Sequence, residues 1–342
     1  MRHRHSRRVL RSTCQSCQGG PLLKRFDIVG RAVLPTDSHD AHILVYTNPD
    51  QAEKQLIIDM LDIDQHTIDS ALDPDEISRL EHSGELMSLI FKRPKNYSSA
   101  EQFVFKVASS GIFLYKKQMV IVMSDDIPVF GEKMFSDVGS MQEVLLRILY
   151  RSVYHFLEHL KVINMISNEI EKNITDSMEN KYLLHMFSLS KSLIYYLNAI
   201  NTNSAAIEKL RNMANKFGFS TEEMELLDDI HIENGQCYKQ AEIYSGILTG
   251  LMDARGSIVN NNLNILMKRL TVINIVFMPL NLLAGIGGMS EWSAVTEEIG
   301  MKRLLSYPVF MVGMIVIGVL TYYIIERLGT QKQFRIPFLT RK

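Results

Sequence analysis

The amino-acid sequence predicts an α+β cytosolic head, a long helical stalk and two C-terminal transmembrane helices. Three features of its layout lead there. Two uncharged apolar runs of about 21 and 22 residues lie at 270–290 and 304–325, each long enough at 1.5 Å per residue to cross roughly 30 Å of hydrocarbon. Six of the nine prolines fall at or before Pro128 and the next is Pro279, which leaves about 150 residues free to be helix. Ahead of that stretch, residues from about 40 to 130 hold strand-type runs between turn-forming residues.

Averages conceal this division. The chain has 342 residues, 46% apolar, with 37 basic against 38 acidic side chains, and taken together these describe a soluble protein of two or three domains. The even charge excludes a generally basic nucleic-acid binder and a strongly acidic solvating chain, so no nucleic-acid partner is expected. Three cysteines cannot make a disulfide framework and point to a reducing compartment.

In chain order, residues 1–40 read as a basic, disordered leader with no apolar stretch long enough for a signal peptide. Its Cys14-x-x-Cys17 pair, with His3 and His5 nearby, lacks a second ligand pair at zinc spacing. Residues 41–130 read as an α/β domain. Its expected strands are HILVY (42–46), ELMSLIFKR (85–93), FVFKVA (103–108) and IFLYKKQMVIVM (112–123). Asn48-Pro49 fits a helix N-cap followed by proline at the first helical position, opening a helix to Met60. Asp64 caps a second helix to about Leu72. Residues 131–265 form the stalk: two helices over 139–215 broken near 175–180, a stop at Gly218, then a capping box of Ser220 with Glu223. The helix begun there meets no proline before Pro279, and at roughly 100 Å it is too long for one domain to bury. It must pack on neighbours, most simply copies of itself. Residues 266–326 are the membrane pair and 327–342 a basic tail.

More basic residues flank the spans on one side: Lys268 and Arg269 before the first, and Arg327, Lys332, Arg335, Arg341 and Lys342 after the second, while the loop between them has Lys302 and Arg303 but also Glu291, Glu297 and Glu298. The positive-inside bias puts both termini in the cytoplasm of a plasma-membrane (inner-membrane) protein, with the short loop outside.

Alternating steps of three and four along the long helix pick out Gly246, Gly250, Asp253, Ser257, Asn260, Asn264, Met267, Thr271, Asn274, Met278, Asn281, Gly285 and Gly288. That 3.5-residue spacing keeps one face on a common axis, yet the face is small, polar or methionine rather than Leu and Ile. Two readings fit. Asn274 and Asn281 hydrogen-bond between helices while glycines allow close packing, or the stripe lines a water-filled pore. In the pore reading Asp253 forms a carboxylate ring at the inner mouth, Glu291, Glu297 and Glu298 make a negative field at the outer mouth, and Leu270 and Met278 are hydrophobic constrictions. Neutral amide oxygens suit Mg²⁺, which dehydrates reluctantly and can be held through its waters.

The stretch MKRLTVINIVFMPLNLLAGIGGMS (267–290) resembles the first transmembrane helix and signature of the CorA family of divalent metal-ion transporters. The resemblance spans roughly residues 40–330. It implies a homopentameric funnel whose first spans line the pore, with Asn264, Met267, Leu270, Met278, Asn281 and Gly285 at pore-facing positions. It also matches Asp253 to a funnel carboxylate, and Asp229 to an acidic residue that binds regulatory Mg²⁺ between subunits in some members. The signature Tyr-Gly-Met-Asn is here Gly287-Gly288-Met289-Ser290. A serine hydroxyl has shorter reach and one donor in place of two, so a wider, weaker entry site is expected.

The function expected is therefore a pentameric channel or transporter in the lipid bilayer that passes hydrated divalent cations (Mg²⁺ foremost, then Co²⁺, Ni²⁺ or Zn²⁺), with divalent cations both as cargo and as regulatory ions. The second reading, motivated by Ser290, is a non-conducting or weakly conducting oligomer acting as an ion sensor or scaffold. No phosphate loop, catalytic triad pattern or HExxH appears in the head, and an enzyme is not expected.

Overall fold

The strand signals assemble into one seven-stranded sheet: β1 (Leu22–Val29), β2 (Ala32–Pro35), β3 (Ile43–Thr47), β4 (Arg79–Ser83), β5 (Leu86–Pro94), β6 (Val107–Tyr115) and β7 (Gln118–Met123). In the computed structural model that defines this structure, residues 22–96, 104–130, 133–176, 180–287, 298 and 303–328 are described. The sheet order is β2-β1-β3-β7-β6-β5-β4. Only the β3–β7 pair, Ile43↔Met119 to Thr47↔Met123, is parallel. A parallel neighbour needs a crossover, and here helices α1 (Gln51–Leu61) and α2 (Gln65–Leu72) belong to the intervening chain.

Alternation along the central strands buries both faces. Leu44, Tyr46, Val120 and Val122 pack with Ile57, Leu61 and Ile68 of α1 and α2. The intervening residues Ile43, Val45, Met119 and Ile121 join the larger core with α3 (Met141–Asp176) and α4 (Asn180–Met213). The result is three layers, α1–α2, sheet, α3–α4. Gly111 permits the first contact: a Cβ there would stand 2.6 Å from Ala71 Cβ of α2, closer than carbon atoms approach.

α4 is pinned to the sheet by a buried amide. Asn203 Nδ2 donates to the Lys92 carbonyl, and its Oδ1 accepts from the Lys92 N–H, both at 2.9 Å, and from Ser78 Oγ at 2.7 Å. β4 begins at Arg79, which pairs with Ile90, so the Asn203 side chain satisfies the β5 backbone just beyond the edge strand's reach. A second buried contact joins α3 and α4: His159 Nδ1 lies 2.6 Å from Tyr196 Oη, enclosed by Phe105 and Phe156. Burial first, and then the neighbouring His155, push the His159 imidazole down to about 4.

α5 (Thr221–Gly287) starts as expected. Ser220 Oγ accepts from Glu223 N–H at 3.2 Å and Glu223 Oε2 accepts from Ser220 N–H at 2.7 Å, after Gly218 in the left-handed conformation at φ 71°. Leu227, Ile230, Cys237, Ala241 and Leu248 enter the large core, while Asn234 Nδ2 donates to Ile200 O and Ser204 Oγ of α4. The chain divides into two compact units after Met252, earlier than the expected boundary at 265. α5 is continuous across that point.

Several expectations change. Residues 22–35 of the expected 1–40 leader are folded: β1 and β2 form an antiparallel hairpin, Phe26↔Pro35 to Val29↔Ala32, and β1 joins β3. The first helix is capped by Asp50, not Asn48. Asp50 forms a full capping box with Glu53, and Asn48 instead takes a positive φ of 47°. FVFKVA (103–108) and IFLYKKQMVIVM (112–123) divide differently from the sequence reading: β6 runs through Val107–Tyr115 and, after a turn at Lys116 and Lys117, β7 takes Gln118–Met123. β4, whose RLEHS composition carries little strand signal, pairs with β5 all the same. The second helix, capped by Asp64, follows the sequence reading, as do the two helices before Gly218.

Candidate functional site

The second unit, residues 253–342, holds the C-terminal part of α5 and α6 (Arg303–Leu328). Both are long and apolar enough to cross a membrane, with mean hydropathy 1.6 and 2.2 over their best windows. Pro279 lies inside α5 and Pro308 near the start of α6; each removes one backbone donor, a loss that membrane helices tolerate where neighbours compensate.

Every described stripe residue from Asp253 to Gly285 is exposed; Met278 reaches 73%, Met267 62% and Leu270 56%. The partly covered positions are different ones: Asn262, Ile265, Val272, Val276, Pro279, Leu280 and Leu283. At 100° per residue these centre roughly 160° around the helix from the stripe. α6 shows the matching pattern, with Phe310, Met314, Gly318, Thr321 and Ile325 partly covered at steps of three and four. The two patterns meet where a Cβ at Gly318 would lie 3.4 Å from Leu280 Cδ1. Leu280, the α5 residue that Gly318 of α6 meets, lies on a side of α5 turned away from the centre of the stripe, whose Asn264, Asn274 and Asn281 are exposed. The hydroxyl of Thr271 donates to Met267 O at 2.8 Å and that of Ser257 to Asp253 O at 3.1 Å, which spends their donors on the helix and leaves their oxygens as acceptors toward the stripe.

Asp229 is exposed on the α5 portion in the first unit, and Asp253 is exposed at the start of the second. Among the described residues no group of three or more His, Cys, Asp or Glu side chains gathers to hold a metal. Gly288, Met289, Ser290, Glu291 and Glu297 lie outside the described residues, as do Cys14, Cys17 and the tail beyond Leu328; Glu298 is described and exposed. The sequence reading missed the α6 face against α5. Gly313 and Gly318 in an otherwise apolar span were the available signal, since small residues mark close helix approach in membranes.

Comparison with known proteins agrees with this layout. The family model described as CorA-like Mg²⁺ transporter protein matches residues 39–327. The cobalt/magnesium transport protein CorA of Methanocaldococcus jannaschii is 23% identical over 229 residues, covering 64% of this chain and 70% of that protein. The protein of the same name from Thermotoga maritima is 36% identical over 92 residues, 27% of this chain and 25% of its own length. The complete structure of the CorA magnesium transporter from M. jannaschii superposes with a TM-score of 0.70 at 20% identity, covering 92% of this chain and 99% of that one.

Proposed function

The chain belongs to the CorA-like Mg²⁺ transporter family, and on that premise we propose that it passes hydrated divalent cations, Mg²⁺ foremost, through a pore lined by the α5 stripes of several copies. The observation that carries this reading is the placing of polar side chains on α5: Asn264, Thr271, Asn274 and Asn281 share one exposed stripe, while the contact of α6 with α5, Gly318 against Leu280, falls on another side of the helix. An asparagine amide in a membrane-length helix is unfavourable facing lipid and favourable facing water or a partner. Five copies around an axis, the family's arrangement, would turn each asparagine into a ring of neutral oxygens. Such rings hydrogen-bond to the waters of a bound ion and release it again because they carry no charge. Met278 and Leu270 would narrow the path between the rings, and Asp253 would gather cations at the inner mouth. Asp229 would offer a carboxylate between copies for a regulatory ion. A bound ion there shifts the closed–open balance only by its preference for one state. Both termini would lie in the cytoplasm of the plasma membrane.

Ser290 favours a second reading. With serine where the family signature has asparagine, the outermost ring loses donors and reach, which suits a weakly conducting or non-conducting sensor. Flux of Mg²⁺, Co²⁺, Ni²⁺ and Zn²⁺ into liposomes holding the full-length protein decides between them. Conduction that falls at least tenfold in Asn281→Ala, and rises or sharpens in selectivity in Ser290→Asn, supports the pore. No divalent flux in the parent protein, with Asn281→Ala and Ser290→Asn equally silent, overturns it in favour of the sensor.

A further inference from the structure

A cavity of about 130 Å³ opens inside the first unit, between the sheet and α3. Its apolar lining includes Ile121 and Met123 of β7 and Ile148 of α3, and Arg93 of β5 and Arg151 of α3 enter it from the two sides. The position of Arg93 is unusual. Met87, Leu89 and Phe91 turn the same face of β5 into the large core, and the next place in that alternation holds a guanidinium instead of a hydrocarbon.

Arg93 is buried, 6% exposed. One terminal nitrogen donates to Asp125 Oδ2 at 3.2 Å, but Asp125 is shared with Lys95 Nζ, also at 3.2 Å. Arg93 Nε has no hydrogen-bond partner among the described residues. Buried charged donors in folded proteins are nearly always satisfied, so an under-used guanidinium lining a cavity is the mark of a site built for an acceptor that comes from outside. Arg151 adds a second guanidinium, held in place as its Nη1 donates to the Pro128 and Val129 carbonyls, both at 2.6 Å. Two planar forks match a carboxylate, which accepts bidentate pairs from arginine. Asn96, Ser110, Ser152 and His155 also line the cavity, but the hydroxyls of Ser110 and Ser152 donate to Phe91 O and Ile148 O, so the apolar part of the lining favours an anion with an aliphatic body over a fully polar one. The volume is on the order of four waters' share of liquid, which suits a short-chain acid.

We propose that this cavity binds a small organic carboxylate, its oxygens on Arg93 and Arg151 and its short aliphatic body against Ile121, Met123 and Ile148. The site is built from residues of the first unit alone and does not depend on the transport reading. A bound carboxylate would bridge β5 and α3, so occupancy stabilises the packing of α3 on the sheet.

Thermal unfolding and titration calorimetry of the full-length protein in detergent test this, with potassium butyrate, acetate, phosphate and chloride at matched ionic strength. The expected result is a saturable rise in melting temperature with butyrate, a smaller one with acetate, and none with phosphate or chloride. Arg151→Gln should weaken apparent butyrate affinity at least tenfold, and Arg93→Met should abolish it. Because a buried Arg93 variant can fail to fold, Ile148→Phe, which fills the cavity with hydrocarbon, provides an independent variant expected to block butyrate. A butyrate effect that does not saturate, that phosphate reproduces, or that survives unchanged in both Arg151→Gln and Ile148→Phe overturns the assignment.

Discussion

Replacing Asn203 by alanine should be among the most damaging single changes in the head. The side chain is fully buried and makes three hydrogen bonds, two of them to the N–H and C=O of one residue, Lys92, itself 3% exposed. No strand stands on that side of Lys92, since β4 ends its pairing at Arg79↔Ile90. Alanine therefore orphans two buried backbone groups, at about 1–3 kcal/mol each, and leaves a small cavity. The sum is about 3–5 kcal/mol. For a unit of this size, about 1 kcal/mol moves the melting temperature by roughly 2–4 °C, so a fall of about 6–20 °C is expected in circular dichroism melts of the full-length protein. Of the Asn203 bonds Ser78→Ala removes only the third, together with the bond Ser78 Oγ accepts from Thr202 Oγ1 at 3.2 Å, whose donor also reaches Ala199 O, and it should lower the midpoint by roughly 2–4 °C. Asn203→Asp keeps the acceptor but sets a carboxylate against the Lys92 carbonyl, and should be at least as harmful as alanine. If Asn203→Ala melted within 2 °C of the parent, or no lower than Ser78→Ala, the view that this amide substitutes for a missing strand would be wrong; that threshold is about the effect of a single ordinary hydrogen bond.

Two further outcomes follow from other packed contacts. His159 is 7% exposed and its imidazole is lowered to about 4 from 6.5, so below pH 6.5 the unfolded chain takes a proton that the fold refuses. Its contribution is fully present above pH 6.5 and is lost as pH falls toward 4, at a ceiling of about 1.4 kcal/mol per pH unit; melting curves from pH 7 to 4.5 should fall less steeply for His159→Gln than for the parent, and parallel curves would contradict this. At Gly318 a Cβ meets Leu280 at an ordinary contact distance of 3.4 Å, so Gly318→Ala should be nearly neutral. Gly318→Leu should push α6 off α5 and destabilise the pair by about 1–3 kcal/mol, read as a lower detergent melting temperature; equal behaviour of the two variants would place Gly318 away from the helix contact.

Legibility in the sequence followed the range of the interactions. The box of Ser220 and Glu223, the stop at Gly218 and the cap at Asp64 were readable because each rests on partners within a few residues. The Asp50–Glu53 box was equally local, but the Asn48-Pro49 pair just before it gave a competing start, and the positive φ at Asn48 rules that start out. β1, β2 and β4 were obscured for another reason. Their sequences, LLKRFDIV, AVLP and RLEHS, carry charge or proline, which suits positions toward the sheet's margins, and only pairing with β3 and β5 makes them strands. The polar stripe was visible as periodicity, yet the periodicity alone left open which side of α5 would be covered.

The sequence by itself determined the membrane-length helices, the long proline-free stretch, the capped starts of the helices and the family resemblance, because length, charge exclusion and capping depend on residues close along the chain. Only the tertiary structure decided that Gly318 of α6 meets α5 at Leu280, away from the centre of the stripe, that Asn203 completes the edge of β5 from 111 residues away, and that Arg93 and Arg151 line one cavity. Those outcomes depend on which surfaces exclude water from each other, and that choice is made between segments far apart in the chain, where no local pattern records the partner.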